Sequence, residues 1–140
     1  MERLDPISDL TDMRAQFERC WPWLWESLCE YGPTHNKEQL WMRLSRSWSF
    51  FWPGKTCAIV GEIVNWPIGL RDFNYWLQGG DLPELKTLHH GIEEWAIGRG
   101  CHRATGYGRD GWADVMHGPW EKGTRRRVKW LVGDRHAWAA

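Results

Sequence analysis

Few side chains in this sequence stand at spacings that suggest chemistry on their own. Cys20, Cys29, Cys57 and Cys101 are far apart, with no CxxC, no HExxH and no Cys/His pair at structural-zinc spacing. They read as buried free thiols. A disulfide framework is not expected, because Met1 to Pro6 carries no apolar signal stretch. His89-His90, on a helix, turn one ring toward a sheet and one toward water, and without a third ligand they make no metal site. Glu62 stands in an otherwise apolar strand, where desolvation would raise its pKa as a general base requires; on the outward phase it is only a polar strand residue. Arg109 with Trp112 reads as a stacking-plus-cation clamp, or as a strand-to-helix turn in which Arg109 pairs Asp110 or Asp114. Arg125-Arg126-Arg127, Lys129 and Trp130 have the composition of a nucleic-acid contact or of a charged edge strand.

The whole chain decides among some of these. It has 140 residues, with 18 Lys+Arg against 18 Asp+Glu. That balance argues against nucleic acid, whose binding domains carry a net basic surface. The length suits one domain with one core, and 42% hydrophobic residues exclude a disordered chain. No apolar run approaches the roughly 20 residues that span a bilayer, so the chain reads as soluble, cytosolic and without a membrane partner. The charge is divided, however. Residues 1–98 carry 9 basic and 14 acidic side chains, and residues 99–140 carry 9 and 4. The outlier is tryptophan, at 13 residues. A core of this size does not need so many indoles, so some should lie at the surface where a partner covers them.

The elements that must position these groups follow from pattern and punctuation. Arg3 to Pro6 reads as a short first strand. Asp9 to Cys20 reads as a helix with Met13 and Phe17 on one face. Pro22 should open a separate helical piece to Tyr31, with Trp21, Leu24, Trp25 and Leu28 in helical phase. Asn36 with Gln39 is a capping box for a helix to Ser45 that buries Leu40, Trp41 and Leu44. Ser47–Trp52, Cys57–Trp66 and Leu70–Leu77 read as strands. Asp81, Pro83 and Glu84 start a helix from Leu82 to Ile97 with the stripe Leu85, Leu88, Ile92, Trp95 and Ala96. Cys101–Tyr107 is a strand, Gly111–His117 a short helix, Thr124–Val132 a last strand, and residues 133–140 a tail. In that last strand Arg125, Arg127 and Lys129 share one phase, suited to an acidic surface, while Val128 and Trp130 pack on the other. Tight turns imply an antiparallel meander, and the strand–helix–strand at 70–107 implies a parallel crossover. The fold class expected is α/β (α+β), a mixed, mostly antiparallel sheet flanked by helices.

This order resembles the GNAT fold of acyl-CoA N-acyltransferases. The run Glu62-Ile63-Val64, Pro67, Gly79-Gly80, Ile92-Glu93-Glu94-Trp95-Ala96, Gly100-Cys101 and Gly108-Arg109-Asp110-Gly111-Trp112 is similar to short GNAT-like proteins of tailed phages and prophages. The resemblance implies a cofactor loop at Gln78, Gly79, Gly80 and Asp81, where backbone N–H groups at a helix N-terminus would hold the pyrophosphate of acetyl-CoA. Here that loop is short and lacks Arg or Lys, Pro83 removes a donor, and Asp81 and Glu84 bring negative charge. The resemblance also implies Glu62 as the base and a tyrosine as the acid, for which Tyr107 is the nearest candidate. His117 is a second substitute for that acid. The expectation is therefore a GNAT-like protein with a degenerate acyl-CoA site and no cofactor. It would bind a phage or host protein, or a second copy of itself, in the host cytoplasm or the virion. The alternative is an active acetyltransferase acting on a host protein or a small amine.

Overall fold

The structure is a computed structural model, and it describes residues 2–30, 33–107, 120–122 and 126–138. Helices α1 (Leu10–Glu30) and α2 (Lys37–Ser45) precede strands β1 (Phe50–Pro53), β2 (Cys57–Asn65) and β3 (Arg71–Gly80). Helix α3 (Leu82–Gly98) leads to β4 (Arg103–Tyr107), β5 (Glu121–Lys122) and β6 (Arg126–Trp130). The strands form one six-stranded sheet in the order β1-β2-β3-β4-β6-β5. β3 and β4 are parallel; every other neighbouring pair is antiparallel. The α/β class, the meander and the crossover are as the sequence implied.

Each face of the sheet is buried against helix. On one side α1 and α2 place Met13, Phe17, Cys20, Leu24, Leu28, Leu40 and Leu44 on Phe51, Ala58, Val60 and Leu77. On the other, α3 places Leu85, Ile92, Trp95 and Ala96 on Trp52, Cys57, Ile59, Phe73 and Tyr75. Where the helices lie, both strand faces are therefore apolar, as a sheet covered on two sides requires.

Several expectations are corrected. Helix α1 runs through Pro22 without a break. A proline inside a helix costs about 3 kcal/mol through its lost hydrogen bond and ring clash. The buried stripe Met13, Phe17, Cys20, Leu24, Leu28 passes across Pro22 in one continuous helical phase, so packing on the sheet outweighs the local cost. Trp25 is left 40% exposed by that phase. Arg3 to Pro6 is not a strand; it is an extended strap whose Leu4 N–H bonds the carbonyl of Gly91 in α3. Of the thiols, Cys29 is exposed and the other three are buried. The segment after Gly133 is no plain tail, because Arg135–Trp138 forms a 3-10 turn and Trp138 meets His102 edge-on at 4.9 Å. The expected helix at 111–117, with His117, the Arg109/Trp112 pair and Arg125, lies outside the described residues.

β3 also runs longer than its sequence suggests. Val60 pairs with Leu77 but Gly61 pairs with Tyr75, so Trp76 is an extra residue, a β-bulge. Before it Phe73 and Tyr75 face α3; after it Leu77 faces α1. The strand continues through Gly79 and Gly80, paired with Ala58 and Cys57. A Cβ on Gly79 would lie 2.6 Å from the carbonyl oxygen of Trp23, and Gly80 has φ +104 with Thr56 O in the same space. These glycines admit the backbone of α1 and of the β1–β2 turn.

Candidate functional site

The residues singled out for chemistry fall into separate places. Gln78, Gly79 and Gly80 are strand, and Asp81 is the N-cap of α3, accepting from the N–H of Glu84 at 3.1 Å. Several donors of this segment are spoken for. Gln78 N–H bonds Ser27 Oγ at 3.1 Å, Asp81 N–H bonds Thr56 O at 2.9 Å, and Pro83 has none. The Glu84 carboxylate accepts the N–H groups of Lys55 and Thr56 at 2.9 and 2.7 Å, and the Thr56 hydroxyl at 3.1 Å. Thus two carboxylates occupy the end of α3 where its dipole would favour an anion.

Against the rise that burial imposes, the N–H groups of Thr56 and Lys55, the Cys57 thiol and the Thr56 hydroxyl hold the Glu84 carboxyl down at about 2. Burial, and then Glu84 itself, pushes the Cys57 thiol up. A carboxyl lowered from 4.5 to about 2 contributes stability above the unfolded value, which is lost as pH falls through that window. Solvent screening reduces the contribution to about 1–2 kcal/mol. Glu84→Gln is expected to cost that much at pH 7. It should also flatten the acid limb of the unfolding free energy between pH 4.5 and 2, measured by urea titration across that range.

Glu62 and Tyr107 share the sheet face opposite α3. The Glu62 carboxylate accepts from Arg43 at 3.2 Å and from the Asn74 amide at 3.4 Å, and the Thr105 hydroxyl donates to Asn74 Oδ1 at 3.0 Å. Glu62, Asn74 and Thr105 are cross-strand partners on β2, β3 and β4. Tyr107 lies two residues further along β4, so its side chain leaves on the same face. It is 54% exposed. The Glu62 side chain keeps 27% of its surface in contact with solvent, so it is neither in an apolar pocket nor on a free outward phase. Arg43 lies over the Trp76 ring, which meets His35 edge-on at 4.9 Å. Burial, and then the Arg43 guanidinium, keeps the His35 imidazole below its ordinary value and neutral at pH 7.

A buried polar centre between α3 and the sheet is one the sequence only half disclosed. His89 faces the sheet, as its phase implied, and stacks on Tyr75 with centroids 4.1 Å apart. One ring nitrogen is 2.6 Å from Gln78 Oε1. Glu93, one turn on, accepts the Tyr75 hydroxyl at 2.6 Å and pairs with Lys129 of β6. The Lys129 and Glu93 side chains are 7% and 6% exposed. Arg127 and Lys129 are therefore not an outward basic phase but point inward, with Val128 and Trp130 half-buried on the other side. His89 and Glu93 four residues apart inside an apolar stripe were the available signal for this centre.

Among the described residues no three His, Cys, Asp or Glu side chains come together as metal ligands, and no helix is long and apolar enough to cross a membrane. No family model, curated protein or solved structure matches this chain.

Proposed function

We propose that this chain is a GNAT-like domain of tailed-phage type whose acyl-CoA site is closed. It works by binding protein, as an assembly or virion-associated component, rather than by acyl transfer. The observation that carries the reading is the end of α3, where Asp81 caps the helix and Glu84 takes the N–H groups of Lys55 and Thr56. A pyrophosphate there would meet two carboxylates and displace bonds that hold β1–β2 to α3. The glycines that could bring backbone close to a cofactor are used by α1 and the β1–β2 turn. Protein binding is supported by the indoles that folding leaves outside: Trp25, Trp48 and Trp66 are 40, 51 and 39% exposed. Such rings are tolerated at a surface that a partner covers. The buried position of Lys129 and Arg127 moves the expected contact away from β6 and toward these indoles.

The second reading, an active acetyltransferase, is favoured by Glu62 and Tyr107 lying on one face. Titration calorimetry with acetyl-CoA separates the two. No heat of binding is expected up to millimolar cofactor, and Asp81→Gly with Glu84→Arg should gain measurable affinity. Micromolar binding by the parent, with transfer to an amine, would move the assignment to the enzyme.

A further inference from the structure

The strap before α1 is seated in a groove between β1 and α3. Pro6 biases Asp5 toward extended backbone, and the segment lies outside the sheet. Both main-chain groups of Leu4 are bonded, its N–H to Gly91 O at 2.9 Å and its carbonyl to the Trp52 indole N–H at 2.9 Å. Ile7 N–H bonds Phe51 O at 3.0 Å. The floor of the groove is cut for this segment. A Cβ on Gly91 would lie 2.6 Å from Leu4 Cβ and 3.2 Å from Glu2 O. Glycine inside a helix is otherwise unfavourable, and here its missing side chain is the space the strap fills. The outer edge of β1 is guarded in the same way, since Phe51 O is taken by the strap and Pro53 has no N–H to offer.

The hold is nevertheless slight. Glu2 to Asp5 are exposed, Pro6 and Ile7 only half-buried, and α1 begins afresh with Asp9 accepting the Asp12 N–H. Segments with so little buried surface open first.

We propose that this groove is a peptide site filled in cis by residues 3–7, and that a second copy's strap takes the same place, so that two copies exchange N-terminal segments. This deepens the protein-binding reading by naming the partner as another copy of the chain. The occupant is identified by fit: every copy carries both the groove and the segment that matches it. Reciprocal exchange reproduces each cis contact and needs no new interface. In dilute solution the tethered strap wins, because its effective concentration is in the millimolar range; crowded copies in an assembly favour exchange.

The exposed Cys29 supplies the test. Two batches of full-length protein, labelled there with donor and acceptor dyes, are mixed over a range of concentrations. Energy transfer should rise with concentration in the parent and fall at least tenfold in Gly91→Ala, whose methyl group excludes a strap from either copy. A dye-labelled peptide of residues 2–9 should bind a full-length Leu4→Asp, Ile7→Asp variant at least tenfold more tightly than it binds the parent. Absence of transfer in the parent at millimolar protein overturns the proposal. Transfer that survives in Gly91→Ala also overturns it, while leaving association through the exposed indoles intact.

Discussion

Trp95→Ala should lower the unfolding free energy by about 3–5 kcal/mol, the usual cost of emptying a large buried aromatic site. The indole is 5% exposed and meets Phe50, Trp52 and Phe73 at centroid distances of 4.9, 5.1 and 6.0 Å. All three contacts are edge-to-face arrangements that a smaller side chain cannot restore. Because Trp95 joins α3 to β1 and β3 together, the loss should appear as a lower denaturation midpoint with little change in slope. A variant that melts within a few degrees of the parent would mean that α3 does not pack in this phase.

Lys129→Met should cost about 3–5 kcal/mol near neutral pH, because it leaves Glu93 buried without its cation. The cost should depend on pH in a defined direction. Burial raises the Glu93 carboxyl above its ordinary 4.5, and the bonds from Lys129 and Tyr75 oppose that rise. Without Lys129 the carboxyl rises further, so the folded state binds its proton more tightly than the unfolded chain does. The variant should therefore be most stable near or below pH 4.5 and lose stability as pH climbs through the folded value. Urea titrations from pH 4 to 8 measure this. Glu93→Gln combined with Lys129→Met should recover most of the loss and remove the slope. A pH-independent loss in the single variant would mean that Lys129 acts by packing alone.

The parts of this fold that were legible in the sequence are those fixed by local chemistry. The Asn36/Gln39 capping box is present with both of its hydrogen bonds, and the Asp81 cap starts α3 where its sequence places it. The tight turns between consecutive strands and the stripe on α3 were enough for the meander and the crossover. What could not be read locally was settled across the sheet. Pro22 stays helical because the residues on either side of it bury one stripe. Gly79 and Gly80, which read as a ligand loop, are strand because α1 and the β1–β2 turn come too close for side chains. Lys129 sits in alternating phase with a half-buried valine and tryptophan. The carboxylate of Glu93, 36 residues away, holds Lys129 on the inner side. For the candidate site, the acidic character of the α3 terminus was visible in the residue types. Its bonding to Lys55 and Thr56 was not, since that depends on how the β1–β2 turn comes to rest.

The extra residue at Trp76 makes β3 a strand with two frames. Upstream of it odd-numbered side chains belong to the α3 side, and downstream they belong to the α1 side. Gln78 reaches His89 only because the frame has changed between Tyr75 and Leu77. Sequence length in this strand therefore has one residue of slack, at the bulge. Losing Trp76 itself would return β3 to regular pairing, with Tyr75 opposite Gly61 and Leu77 opposite Val60, and would leave Gln78 on the side of His89. Losing a further residue would slip the register by one and turn the side chains beyond it to the opposite faces. Among naturally varied or engineered forms of this chain, loss of the one extra residue at Trp76 should be the change of length in β3 that leaves every other side chain on its present face.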